Sequence, residues 1–366
     1  MATAGAAPKM SHPSPLPRAI EPAAYNVAVI LAGDVGGTKT ILALFASSNG
    51  KLRKVRERSF SSRGSPSLEA IVEEFLSEGG GRVRRAAVGV AGPVVAGRSQ
   101  VVNLRWPVDE QELARALGTP HVCVLNDVEA TAWGIPALSP RQLLNLTPGV
   151  RGRPGNAALI AAGTGLGMSI LFWRGGELDP SASEGGHQDF APRDDVEIDL
   201  LRFLRERHGR VSVERVVAGP GFSALYEFLL ATGRGSESAE MSRRLASGDA
   251  NAAVSEAGVR GEDPVAERAV EMFVSSYGAA AGDLALVARA VAGVYVGGGI
   301  APKILPKLRS GEFVRSFRAK GRLSPLVERI PVKVILEPRT ALLGAAVRAA
   351  RLPASRARGP KPRSKR

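Results

Sequence analysis

One pattern of punctuation occurs twice in this chain. The apolar run 27–32 breaks at Gly33-Asp34-Val35-Gly36-Gly37-Thr38-Lys39 and resumes as the β-rich run 40–45. The run 157–162 breaks at Gly163-Thr164-Gly165-Leu166-Gly167 and resumes at 168–173. A short, continuously apolar run bounded by turn residues reads as a buried strand. Strand, glycine turn, strand reads as a hairpin. Two such units, about one per half, point to an internal structural duplication. With 366 residues, the chain is also too long for one small core, so two lobes are expected.

The segments around these hairpins alternate. Leu68, Ile71, Val72, Phe75 and Leu76 recur at helical spacing, with Ser65 as N-cap and Pro66 in the first turn. A buried strand over 86–91 closes on Gly92-Pro93, and 110–117 is helical. A strand over 122–125 runs into Asn126-Asp127, where a helix starts. Next come a polar loop (179–193), helices near 198–207 and 222–230, and a long Ala-rich helix over 264–290. A strand at 294–296 empties into Gly297-Gly298-Gly299, and 332–336 and 340–350 supply the last strand and helix. Strands alternating with helices argue for an α/β sheet in each half. Pro136 and Pro140 place the join near 135–141.

Composition excludes several classes. No apolar run approaches the roughly 20 residues of a membrane span, so no membrane association is expected. The Ala/Pro/Ser-rich stretch 1–22 lacks the apolar core of a secretory signal and reads as part of a disordered lead, 1–25. A single cysteine, Cys123, excludes an intramolecular disulfide or a Cys-rich zinc site and fits a reducing cytoplasm. The net charge of +14 raises the question of nucleic acid. Much of it lies in a basic tail, 352–366, where Arg356, Arg358, Lys361, Arg363, Lys365 and Arg366 crowd around Pro360 and Pro362. Such a segment reads as disordered and solvated, and no nucleic-acid-binding motif accompanies it.

The first glycine turn is not a nucleotide P-loop, because Thr38 separates Gly37 from Lys39 and a strand follows instead of a helix. It lacks the dinucleotide Gly-x-Gly-x-x-Gly pattern as well. What it offers is backbone N–H groups that can face phosphate oxygens without Cβ interference. Asp34, at the end of a buried strand, is placed to hold a hydrated Mg²⁺, and Thr38 or Lys39 can touch phosphate. An ordinary hairpin whose glycines serve only positive φ explains this turn equally well. The second turn, with the Thr164 hydroxyl, shifts the balance, since two such turns across a cleft can clamp a nucleotide's phosphates.

Asp127 stands where α/β sheets place their ligands. Phosphoryl transfer to an alcohol needs a carboxylate that takes the hydroxyl proton, and Asn126 offers both donor and acceptor to sugar hydroxyls. Asp127 reads equally as a cap of the helix that follows. Glu184-Gly185-Gly186-His187 suits a polyol: a carboxylate can accept from vicinal hydroxyls and an imidazole can serve a third. A loop held by local capping is the plain alternative. A zinc half-site lacks cysteine and a His-Glu-x-x-His helix. Glu214, ahead of Gly219-Pro220-Gly221, is a weaker candidate, and His12, His121 and His208 read as surface or structural.

Taken together, the motifs resemble the bacterial glucokinase family, relatives of hexokinase on the actin-like (ribonuclease H-like) ATPase fold. The matching segments are GDVGGTK (33–39), VGVAGPV (88–94), VVNLRWPV (101–108), LNDVEATAWGI (125–135), AAGTGLG (161–167), SEGGHQDFAP (183–192), ERVVAGPG (214–221) and YVGGGIAP (295–302). The resemblance implies a small N-terminal lobe, 26–137, completed by a returning helix at 340–351. It implies a large lobe, 138–339, with a cleft between the two. It implies Asp127 as catalytic base and Asn103, Asn126, Glu184, His187 and Glu214 as sugar ligands. Gly33 to Lys39 and Gly163, Thr164 and Gly165 would be the phosphate turns, and Gly297, Gly298 and Gly299 the adenosine turn. Lys39 stands where many members carry Asn; the GGTK form is shared with the sister repressor–kinase (ROK) family, whose Cys-rich zinc motif is absent here. Asp283 also replaces a common Asn.

The implied activity is transfer of the γ-phosphoryl of Mg·ATP to the 6-hydroxyl of glucose, the first step of glycolysis, in a cytoplasmic enzyme for which a homodimer is considered. The alternatives are a kinase of another hexose or amino sugar and a sugar-sensing regulator. The regulator would need a DNA-binding helical module, for which the lead before Val27 is too short and Pro-rich.

Overall fold

The computed structural model describes residues 28–48, 51–101 and 104–353. The lead 1–25, the tail beyond 353 and the candidate Asn103 lie outside the described residues.

Five strands form the first sheet: β1 (Ala28–Val35), β2 (Lys39–Ser48), β3 (Lys51–Ser61), β4 (Val83–Val90) and β5 (Val122–Asn126), in the order β3-β2-β1-β4-β5. β1, β2 and β3 are antiparallel, while β4 runs parallel to both β1 and β5. The second sheet holds β6 (Leu143–Asn145), β7 (Ala157–Ala162), β8 (Leu166–Arg174), β9 (Glu177–Ser183), β10 (Gly293–Gly297) and β11 (Val332–Ile335). Its order is β9-β8-β7-β10-β11-β6, with β7, β8 and β9 antiparallel and β10 parallel to β7 and β11. Apart from the edge strand β6, the two sheets share one plan. The duplication expected from the two glycine hairpins is therefore present in the fold.

Burial explains which strands were legible. β4 is buried without a break from Ala86 to Val90, as befits a strand covered on both faces. The missed strand β3 is KLRKVRERSFS at a sheet edge, where charged side chains guard against further pairing. β9 likewise lies at an edge and takes up part of the expected polar loop, pairing Ser183 with Met168.

The helices that matter to the cleft are α1 (Leu68–Ser77), α2 (Glu110–Leu117), α3 (Asp127–Gly134), α4 (Asp195–His208), α5 (Gly221–Ala231), α6 (Pro264–Ala288), α7 (Glu312–Arg318) and α8 (Thr340–Ala350). Ser67 caps α1 in place of the expected Ser65, its Oγ accepting the Ala70 N–H at 3.2 Å. α8 returns to the first sheet, where Leu342, Ala345, Ala346 and Ala349 pack on Ile30, Ala32, Ile41 and Phe45. It crosses α3 at backbone contact: a Cβ on Gly344 would run into the Ala130 carbonyl, and one on Gly134 into that of Thr340. In the second core, α6 buries Phe273 and Tyr277 against Phe313 and Phe317. Full burial of each such ring contributes about 1.5–3 kcal/mol. Among the described residues, no helix is long and apolar enough to cross a membrane.

Candidate active site

The first glycine turn joins β1 to β2. Gly36 N–H donates to the Lys39 carbonyl at 3.0 Å and Ser62 N–H to that of Thr38 at 3.0 Å. Beneath it, the buried hydroxyls of Thr40 and Ser62 meet at 2.8 Å. Asp34 lies across the sheet from Gly89, which in turn pairs with Leu125. Gly89 must be small: its Cβ would stand 2.8 Å from that of Ala130 and 3.7 Å from the Asp127 Cα. Asp34 and the start of α3 are thereby neighbours at one end of the sheet.

Asn126, not Asp127, caps α3. Its Oδ1 accepts the N–H of Val128 at 2.9 Å and of Glu129 at 3.4 Å, and its Nδ2 donates to the Gly92 carbonyl at 3.0 Å. The cap therefore stands one residue earlier than the sequence alternative placed it, and Asp127 becomes the first helical residue. One carboxylate oxygen of Asp127 accepts the Val128 N–H at 2.9 Å. Burial raises its pKa above the ordinary aspartate value, the N–H of Val128 and the Asn126 side chain oppose the rise, and the charge of Glu184 adds to it.

Glu184, His187 and Glu214 come together. His187 Nε2 lies 3.9 Å from Glu184 Oε2, and its Nδ1 lies 3.8 Å from Glu214 Oε1. The other Glu214 oxygen accepts the Leu166 N–H at 2.8 Å, so this carboxylate also closes the second glycine turn. Two glycines set the loop against that turn: a Cβ on Gly185 would stand 2.9 Å from Met168 Sδ, and one on Gly186 would meet the Leu166 carbonyl. Gly167 in turn has no Cβ because Val128 of α3 fills that space. The start of α3 is thus wedged between the two hairpins, with Asp127 on the Asp34 side and Glu184 close enough to act on its charge.

The turn glycines are not explained by backbone conformation. Gly36, Gly163, Gly165 and Gly299 do not have left-handed φ, whereas Gly298 does, at +84°. A Cβ on Gly163 or Gly299 would meet nothing within 4 Å. Neither φ nor packing inside the chain requires glycine at these two positions. The turn at Gly297 to Gly299 touches the second, with Ile300 N–H donating to the Ala162 carbonyl at 3.2 Å; separately, Gly219 N–H, just before α5, donates to the Gly163 carbonyl at 2.8 Å.

The glucokinase family model matches residues 31–352. The chain belongs to the glucokinase family. It is 41% identical over 340 residues to a glucokinase of Trichormus variabilis, covering 88% of this chain and 99% of that protein. The crystal structure of a glucokinase from an Antarctic psychrotroph superposes with a TM-score of 0.79 at 31% identity, covering 88% of this chain and 98% of that one. A ROK-family glucokinase from Streptomyces griseus, in complex with glucose and AMPPNP, shares the fold at a TM-score of 0.56 and 24% identity, over 88% of this chain and 99% of that one. The fold is the two-lobed, actin-like α/β architecture of these sugar kinases.

Within the glucokinase pattern, the unusual Asp283 has a local partner. It pairs with Lys320 Nζ at 2.6 Å, and the same ammonium donates to the Ala279 carbonyl at 2.9 Å. The motifs gave no hint of Arg339. Its Nε donates to Glu57 Oε1 at 2.8 Å, and its charge, with that of Lys39, draws the Asp34 pKa down. Burial first and the Asp127 charge second outweigh both, so Asp34 is pushed up to about 6. Lying just before the last helix, Arg339 could be suspected from sequence only by knowing that this helix returns to the first sheet.

Proposed function

We propose that the chain transfers the γ-phosphoryl group of ATP to the 6-hydroxyl of glucose, giving glucose 6-phosphate and ADP. The observation that carries this reading is the position of Asp127, between the Asp34 hairpin on one side and the Glu184, His187 and Glu214 cluster on the other. The first sheet with α8 forms the small lobe and the second sheet with its helices the large one. Asn126, Glu184, His187 and Glu214 hold the sugar hydroxyls. Gly33 to Lys39 and Gly163 to Gly165 face the phosphates, and Gly297 to Gly299 the adenosine.

Val128 N–H occupies one oxygen of Asp127; the carboxylate would accept the 6-hydroxyl proton through the other. As that proton leaves, the hydroxyl oxygen bonds to the γ-phosphorus, and the bond to the bridging oxygen breaks with its electrons passing to ADP. A pKa raised by burial makes the carboxylate a stronger base. Turn amides facing the phosphoryl oxygens stabilise the charge that spreads over them. Lobe closure over the sugar would keep water from competing for the phosphoryl group.

Asp34 suits a Mg²⁺ ion held through water. The charge of Asp127 raises the cost of ionising Asp34, as expected of a place that receives a cation. Among the described residues no three His, Cys, Asp or Glu side chains group as a metal cage. Bound there, Mg²⁺ would supply charge neutralisation at the phosphates. The reading takes the enzyme as cytoplasmic, in keeping with its single cysteine, and as a homodimer that sedimentation velocity would reveal.

A sugar panel in a coupled ADP-release assay tests the function. Glucose is expected to give the highest kcat/KM among glucose, mannose, fructose and glucosamine. A higher value for another sugar would reassign the substrate, and the absence of sugar-dependent ADP release would overturn the kinase reading.

A further inference from the structure

β7 and β10 run parallel, and Ala161 opposite Gly297 is their last pair. Beyond it they part into the turns at Gly163 to Gly165 and Gly297 to Gly299. Tyr277 of α6 fills that fork. Its hydroxyl accepts the Ala162 N–H at 3.2 Å and lies 3.2 Å from the Ile160 carbonyl and 3.3 Å from that of Gly297, to which its one proton can be donated. The side chain is fully buried. Its ring is held edge-on by Phe273, with centroids 5.9 Å apart, and by Phe313 at 5.4 Å, so the hydroxyl has little freedom to aim elsewhere.

The two turns also touch through backbone. Gly298, at φ +84°, leaves the space a Cβ would need to the Ala162 carbonyl, and Ile300 N–H donates to that carbonyl. These contacts join the turns directly. The hydroxyl joins the strand ends from which both turns spring. A buried bridging hydroxyl is held firmly, because losing it strands a buried N–H.

We propose that Tyr277 is a positioning residue for the nucleotide: its hydroxyl fixes the strand ends so that the phosphate and adenosine turns are presented in one register. The inference rests on the reading of these turns given under Proposed function. It differs from a purely structural role for Tyr277, which would lower stability without favouring one substrate over the other.

The test compares the wild type, Tyr277→Phe and Gly163→Val in steady-state assays with glucose and ATP, alongside thermal melting. Tyr277→Phe keeps the ring and removes only the oxygen. It is expected to raise KM for ATP about tenfold, the loss of one well-placed hydrogen bond, while KM for glucose stays within about twofold. An unchanged KM for ATP overturns the proposal. So does a parallel rise in both KM values with a lowered melting temperature. Gly163→Val reports on the turn itself: if it leaves KM for ATP unchanged, the nucleotide reading of the turn fails and the inference falls with it. A measurement on the wild type stands apart from the folding of any variant. AMPPNP is expected to slow amide hydrogen exchange in both turns together, and protection of one turn alone would contradict a shared register.

Discussion

The Glu214 carboxylate accepts the backbone N–H of Leu166 at 2.8 Å while its other oxygen lies 3.8 Å from His187 Nδ1. One side chain thus stands between the second glycine turn and the His187 imidazole. Glu214→Ala is expected to raise KM for both glucose and ATP, each about tenfold. Glu214→Gln keeps an acceptor for Leu166 and should spare the ATP value while still weakening glucose. Steady-state kinetics with each substrate varied in turn checks this; an effect of Glu214→Ala on glucose alone would show that the tie to the turn is idle.

Asn126 does two jobs, and stability separates them. Removing its cap in Asn126→Ala should cost about 1 kcal/mol and let the first turn of α3 drift, lowering kcat. Asn126→Ser restores a cap oxygen and should recover most of the stability but not full activity, since the donor to the Gly92 carbonyl is lost. Denaturant melts beside kcat values decide the matter. Equal stability of the alanine and serine variants would show that the cap contributes nothing.

Two glycines give opposite expectations. Gly163→Ala places its methyl in open space at an ordinary φ, so stability should stay within about 0.5 kcal/mol while ATP binds more weakly. Gly186→Ala drives a methyl into the Leu166 carbonyl and should cost about 3 kcal/mol or more. Melting temperatures of the pair test the contrast; a Gly163→Ala variant as unstable as Gly186→Ala would show that this turn is built for packing.

Asp34 carries a pH signature. In the folded chain it holds its proton to about pH 6, whereas its ordinary pKa is 3.8. Between these values the folded state binds more protons, so stability falls as pH rises through the window, and the full penalty is present above it. In Mg²⁺-free buffer, Asp34→Asn should therefore be more stable than the wild type by roughly 3 kcal/mol at neutral pH. The gain should shrink as pH falls below 6 and vanish below about 4. Paired melts across pH measure it, and a variant no more stable than the wild type at neutral pH contradicts the burial of this charge.

The sequence was most legible where apolar strands met glycine. Both hairpins were recognisable because β1, β2 and β7 are buried in continuous runs that glycine interrupts, while β8 resumes in a largely apolar stretch of mixed burial. Edge strands were not: β3 is mostly charged and β9 carries a proline, so neither has the apolar run or clean alternation by which strands are recognised. Adjacent Asn126 and Asp127 are both good caps, and only backbone geometry shows that Asn126 takes the position and leaves Asp127 on the first turn. The Glu184 and His187 pair could be read from a local motif. The second role of Glu214, at the Leu166 amide 48 residues away in sequence, could not.

Asp127 is proposed as the base between sugar and phosphate. Asp127→Asn keeps the shape and a hydrogen-bonding oxygen but cannot take the proton. In the coupled assay with glucose and ATP, kcat should fall by about 10² to 10⁴ while glucose still binds. Turnover within a few-fold of the wild type would contradict the account.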